Sequence, residues 1–273
     1  MIFENHKPDQ KIEKYIESIF YYKDFIPNHS IERVVPTGHI FIIFEFDNFT
    51  RHTYDSITLK PNGDFNKVWI SGLHQNYLSI SAHKNSEMLI IQFNHLGGYP
   101  FIHKHLDQLT EKVLHAEEVF GNEIIELRNS MLQATSVADK FKNVENWLLK
   151  RFDANYKPNK EIEEIILALK QPSAKGITEL QKNYPKTHKQ LISDFKKYVG
   201  INPKYFHRIL RFNDILLQIN QKKHISWSSI SYEFGYSDQS HFIKDFKHFS
   251  GFNPEEFIKN DLNQGIPNFF PLD

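Results

Sequence analysis

The sequence predicts an α+β protein in two parts: a β-rich N-terminal half (a sheet or small barrel) with trailing helices, and an all-α C-terminal half. Three observations carry that expectation. Short runs dense in β-branched and aromatic residues, punctuated by turn residues, crowd the first hundred positions with little helix between them. After Pro100 the apolar spacing lengthens to a helical period. Near the C-terminus one local pattern is written twice: FKKYVGINPKYF at 195–206 and FKHFSGFNPEEF at 246–257 share six of twelve positions.

Composition sets the bounds. A chain of 273 residues holds one large or two ordinary domains. Its 40% apolar and 14% aromatic content, with 24 Phe, supports a real core rather than a disordered chain. The apolar run HIFIIFEF at 39–46 is far shorter than a bilayer span, so no membrane partner is expected. The opening MIFENHKPDQ lacks the basic-then-apolar order of a secretory signal, and a cytoplasmic protein is expected. Without cysteine, disulfides and thiolate zinc sites are excluded. The net charge of zero divides unevenly: residues 160–260 carry sixteen Lys+Arg against eleven Asp+Glu, leaving seventeen against twenty-two elsewhere. That split suggests a basic module that meets an anion and an acidic module with another task.

Taken in order, KIEKYIESIFYYKDF at 11–25 places apolar residues at 12, 16, 19 and 20, a helical spacing. Strands are predicted at IERVV (31–35), HIFIIFEF (39–46), KVWISGL (67–73), YLSISA (77–82) and EMLIIQF (87–93). Turns are predicted at Pro36-Thr37-Gly38, Pro61-Asn62-Gly63-Asp64 and Gly97-Gly98. Two helices follow, at 115–134 and 137–152. The polar stretch DANYKPNKE at 153–161 reads as a linker between a domain at 1–155 and a domain at 160–260, with a tail at 261–273. From EIEEIILALK at 161–170 onward the chain reads as short helices with frequent breaks.

The repeat encodes a specific local structure. In the second copy, Trp227, Ile230 and Phe234 share one helical face, and Gly235 follows where a chain leaving a helix takes positive φ. Ser237 and Asp238 are placed to cap the next helix, about 238–249. At about 100° per residue its Phe242, Phe246 and Phe249 face inward, and Ser240, Lys244 and Lys247 face outward. Gly251 ends it, and Asn253-Pro254 opens another helix. The first copy follows the same logic over 188–199: Leu191, Phe195 and Tyr198 inward, Lys189, Ser193 and Lys196 outward, then Gly200 and Asn202-Pro203. A helix over about 203–219 would join the two rigidly. Each unit is a helix-turn-helix, which can lay its second helix in a major groove. Two such helices about 34 Å apart can read successive grooves from one side of a duplex.

The stretch GYSDQSHFIKDFKHFSGFNPEEF at 235–257 closely resembles the signature of the AraC/XylS family of bacterial transcription regulators. The resemblance implies a doubled helix-turn-helix over about 165–260 and sequence-specific binding of a double-stranded DNA operator. It places base-facing positions at Ser240, His241 and Lys244, with Gln239 beside them, and at Lys189, Gln190 and Ser193 in the first unit. Lys196 and Lys247 are assigned to phosphates. The chain departs from the family pattern at Lys244 and Ser193, where arginine is usual, and at Gln181, Pro185 and Ile215. The segments RVVPTGHIFIIFEF (33–46) and LIIQFNHLGGYPFI (89–102) resemble an uncharacterised β-rich sensor region found ahead of this domain. The further partners considered are an unidentified small-molecule effector, a second copy of the chain, and RNA polymerase.

The rival reading is a cupin-like metal-binding or enzymatic N-terminal domain carrying an appended DNA-binding module. Eight histidines lie between 39 and 115, and His74, His95, His103 and His105 are its candidate ligands. Their spacing lacks a regular ligand pattern along strands, and no metal or cofactor is expected. No phosphate loop, nucleophile elbow or set carboxylate pair appears, so no enzymatic activity is expected. The Phe-rich strands fit a core or the walls of an effector pocket equally. The aromatic tail PNFFP at 267–271 is expected to dock on the body of the protein.

Overall fold

The computed structural model describes residues 1–171, 184–221, 225–259 and 268–272. Two antiparallel sheets form the N-terminal region. The first contains β1 (Ile2–His6), β2 (Ile16–Phe25), β9 (Ser86–Phe93), β4 (Phe41–Glu45), β7 (Val68–Ser71) and β10 (Val113–His115), in that spatial order. The second runs β11 (Phe269–Pro271), β3 (Ile31–Val34), β8 (Leu78–Ser81), β5 (Arg51–Tyr54) and β6 (Pro61–Phe65).

Strand β4 pairs with β9 and β7, so its backbone is bonded on both edges. Its side chains alternate between two apolar environments. Ile42 and Phe44 join Ile70, Leu89 and Ile91 in the main core, while Ile43 meets Trp69 and Met88 on the other face. Burial on both faces explains why these strands read as unbroken apolar runs rather than as alternating ones.

The helix expected within 11–25 is instead one turn of 3-10 helix, Glu13–Tyr15, followed by the ten-residue strand β2. β2 pairs with β1 on one edge and β9 on the other, and its β-branched and aromatic residues suit a doubly paired strand. The periodicity misled because short apolar runs fit both templates. Pro61-Asn62-Gly63-Asp64, expected as a turn, lies in β6, an edge strand whose first residue is the proline. β1, β5, β10 and β11 were not expected. The single helix predicted over 115–134 is two, α2 (Glu117–Phe120) and α3 (Glu123–Leu132), divided at Gly121 with φ +71°.

A short α1 (Tyr99–Ile102) precedes those, and α4 (Val137–Arg151) and α5 (Lys160–Leu169) follow, capped by Ser136 and Asn159. The expected linker at 153–161 contains a 3-10 turn whose Tyr156 packs against Tyr99 and His103. The helical region continues with α6 (His188–Val199), α7 (Pro203–Gln221), α8 (Trp227–Glu233), α9 (Gln239–Ser250) and α10 (Pro254–Lys259). Among the described residues no helix is long and apolar enough to cross a membrane.

One apolar core joins the β-rich region to the helical one. Phe206 of α7 sits edge-on to His95, Tyr198 of α6 meets Tyr99, and Asn213 donates to the Pro36 carbonyl at 2.9 Å. The C-terminal tail returns to pair as β11 with β3, register Phe269↔Val34 and Phe270↔Arg33. Phe270 is buried and meets Phe257 of α10 at 4.9 Å.

Candidate nucleic-acid interface

In the second unit, Ser226 caps α8 and Asp238 caps α9, accepting from the His241 N–H at 2.8 Å. That bond holds the Asp238 carboxyl below its usual range. Between the helices Gly235 takes φ +68°, and Tyr236 turns inward. Phe242, Phe246 and Phe249 are all buried, and Trp227 stacks on Phe242 at 5.7 Å. Phe246 also meets Phe212 of α7 and Phe257 of α10, so a single side chain ties three helices. Gly251 closes the helix at φ +75°. A reciprocal cap opens α10: Asn253 accepts from the Glu256 N–H, and the Glu256 carboxylate accepts from the Asn253 N–H.

The first unit repeats this. Thr187 caps α6, Leu191, Phe195 and Val199 are buried, and Gly200 closes the helix at φ +108°. The helix expected to open this unit, including Gln181, lies outside the described residues. Ile215, where the family usually has alanine, is fully buried in the core along α7.

All nine side chains assigned to DNA are exposed: Lys189, Gln190, Ser193 and Lys196 on α6, and Gln239, Ser240, His241, Lys244 and Lys247 on α9. Two of them have internal partners. The Gln190 amide donates to Asp194 at 2.7 Å, and the His241 ring faces Tyr236 with its Nδ1 near the Ser237 hydroxyl.

Sequence reasoning passed over two residues that hold these faces in place. Asp245, buried on α9, accepts from Arg208 at 2.8 Å and from Arg211 at 3.1 Å, both on α7. Asp194, at the equivalent position of α6, accepts from the Tyr184 hydroxyl at 2.6 Å and from Gln190. Burial raises the Asp194 pKa, but these hydrogen bonds and the Lys186 charge outweigh it and hold the carboxyl below its ordinary range. The signal was present, because the repeat extends one residue further back to an aspartate in both copies.

The four candidate ligand histidines do not converge. His74 bonds the Ser71 hydroxyl, and burial pushes its pKa down to about 4. His95 donates from Nδ1 to the Gly38 carbonyl and stacks on His39 at 4.2 Å. His103 bonds the Pro100 carbonyl, and His105 is exposed. Among the described residues no group of three or more His, Cys, Asp or Glu is placed to hold a metal ion. The rival metal-centre reading is therefore not favoured. A cavity of about 330 Å³ opens between the strands, with Thr53, Asn62, Phe65, His74, Tyr77 and Glu111 among its walls.

Residues 186–260, which span α6 to α10, match the helix-turn-helix domain family. Over those residues the chain carries an AraC-type helix-turn-helix domain. The chain is a DNA-binding transcription regulator. Residues 4–115 match a domain of unknown function, DUF6597, so the β-rich region ahead of the AraC-type domain is itself a recurring unit. Among solved structures, ToxT from Vibrio cholerae at 1.65 Å is similar, with 13% identity over 95% of this chain and 98% of that one and a TM-score of 0.43. Wild-type ToxT with a bound unsaturated fatty acid gives 10% identity over 89% and 96%, with a TM-score of 0.42. No curated protein sequence matches this chain.

Proposed function

We propose that α6 and α9 are the two reading helices of this regulator, and that their exposed faces contact one operator at neighbouring major-groove turns. The observation that carries this is the paired exposure of Lys189, Ser193 and Lys196 on one copy of the repeat and Ser240, Lys244 and Lys247 on the other, each opposite a buried apolar face. Lys196 and Lys247 neutralise phosphates, which sets affinity and makes it fall with salt. Lys244, Ser240, His241 and Gln239 in α9, and Lys189, Gln190 and Ser193 in α6, read or flank base edges. Gln190 does so only by leaving Asp194, so its contribution is the smaller.

Residues 1–155 act as the sensing domain and 160–260 as the DNA-binding domain of a cytoplasmic, non-enzymatic, one-component regulator. The cavity walled by Phe65, His74 and Tyr77 supports a small-molecule effector, whose binding shifts DNA affinity only by favouring one of two arrangements. A second copy of the chain and RNA polymerase are the remaining proposed partners.

A mobility-shift titration tests the assignment. Lys244→Ala should weaken binding to the preferred operator by roughly 5- to 100-fold and relax sequence preference at one position. His103→Ala and His105→Ala should leave binding unchanged. Normal operator binding by Lys244→Ala would remove α9 from base reading.

A further inference from the structure

The repeated glycine turns do more than end two helices: each is seated on the β-rich region. In the first unit the Thr110 hydroxyl donates to the Gly200 carbonyl at 2.7 Å. A Cβ at Gly200 would come within 3.1 Å of that hydroxyl oxygen, so the turn is pressed against it. The 3-10 turn Leu106–Leu109 just before Thr110 packs on α6 itself. In the second unit Arg33, on β3, plays the matching part. Its guanidinium lies over Tyr77 at 4.3 Å and over Phe252 at 4.5 Å, with Nη1 reaching the Ser250 carbonyl at 3.5 Å. A Cβ at Gly251 would sit 2.5 Å from that Nη1. A cation at the C-terminal carbonyls also complements the dipole of α9. The returning strand β11 covers the same edge of β3.

The joining helix α7 is docked on the same body. Phe206 abuts His95, Asn213 bonds Pro36, and the Tyr205 hydroxyl approaches the Gln75 carbonyl at 3.4 Å. Side contacts tie each unit to the joining helix, Phe206 with Phe195 in the first and Arg208 and Arg211 with Asp245 in the second, but all of them lie along that one helix. A second point of attachment off that helix stiffens each unit against rocking about it.

We propose that the β-rich region is a jig for DNA reading, in which Thr110 and Arg33 are positioning residues that hold the closing turns of the two reading helices at one separation and angle. The chain then binds its two half-sites at one spacing only. The proposal rests on the two-helix reading above and adds to it a role for residues that touch no DNA. Each base pair inserted between half-sites displaces the second by about 3.4 Å and turns it by about 35° about the duplex axis. Hydrogen bonds do not tolerate such a displacement, so a rigid pair of helices loses one half-site while a loosened pair follows it.

The test uses the full chain and its selected DNA, the same DNA with one base pair inserted or removed between half-sites, and a single half-site. Wild type should lose about tenfold or more on the altered spacings. Thr110→Val with Arg33→Gln should lose less than about threefold there, with single half-site binding within about threefold of wild type. An equal spacing penalty in wild type and variant overturns the proposal, as does a wild type indifferent to spacing. Should Arg33→Gln lower half-site binding as well, Thr110→Val, which removes one hydroxyl only, decides the matter on the same DNA series. A wild type with no sequence preference at all would instead sink the two-helix reading itself.

Discussion

Asp245→Ala should destabilise the helical region by about 3–5 kcal/mol and abolish binding to every DNA sequence. The carboxylate is buried and receives Arg208 and Arg211 from α7, whose side chains are themselves largely covered. Removing it leaves two guanidinium groups side by side without their carboxylate, Arg211 keeping only the Phe234 carbonyl at 3.5 Å, and a cavity beneath α9. Replacing one partner of such a cluster is far costlier than never having had it, because the remaining charges stay desolvated. α9 is then untied from the helix that relates it to α6. Urea denaturation followed by far-ultraviolet circular dichroism measures the loss. A change below about 1 kcal/mol would mean that the two arginines reach water or another acceptor, and that the apolar contacts of Phe246 alone hold α9.

The double charge reversal Lys196→Glu with Lys247→Glu should lower DNA affinity by roughly 30-fold or more near 0.15 M salt. Both side chains are exposed, in the last turns of α6 and α9 and 51 residues apart, so folding should be little affected. Losing two phosphate contacts reduces the slope of log affinity against log salt by about 1.8. The loss should be the same for preferred and unrelated DNA, since phosphates carry no direct sequence information. Fluorescence anisotropy over a salt series separates the outcomes. A loss confined to the preferred operator would give these lysines a base-reading role in place of the electrostatic one.

Much of the helical region was legible in the sequence because its signals are local. The helix expected at 188–199 is found as His188–Val199, since Thr187 and Gly200 mark both ends. Residues 239–250 follow from Asp238 and Gly251 in the same way. The β-rich region was legible where strands are long and doubly paired, as in β4 and β9. It was misread where a short run fitted both periods, as in β2, or where turn-type residues were recruited to an edge, as in β6. β11 was not foreseen, because its partner β3 lies more than two hundred residues away.

The candidate site divides along the same line. The outward faces of α6 and α9 follow from angle alone, so Lys189, Ser193, Lys196, Ser240, Lys244 and Lys247 could be assigned without coordinates. Asp194 and Asp245 were marked by the repeat but not interpreted, since the groups that bond Asp245 stand on another helix. Arg33 and Thr110 carry no local signal at all. Their role exists only where β3 and the end of a 3-10 turn meet the two glycine turns.

The central claim is that two like-built helices read one duplex together. Selection of bound fragments from a random DNA library by the purified full chain, followed by sequencing, tests it directly. Two short conserved blocks centred about 10 base pairs apart should emerge, and Lys244→Ala should blur only one of them. A single short block, or enrichment by base composition without position, would contradict it.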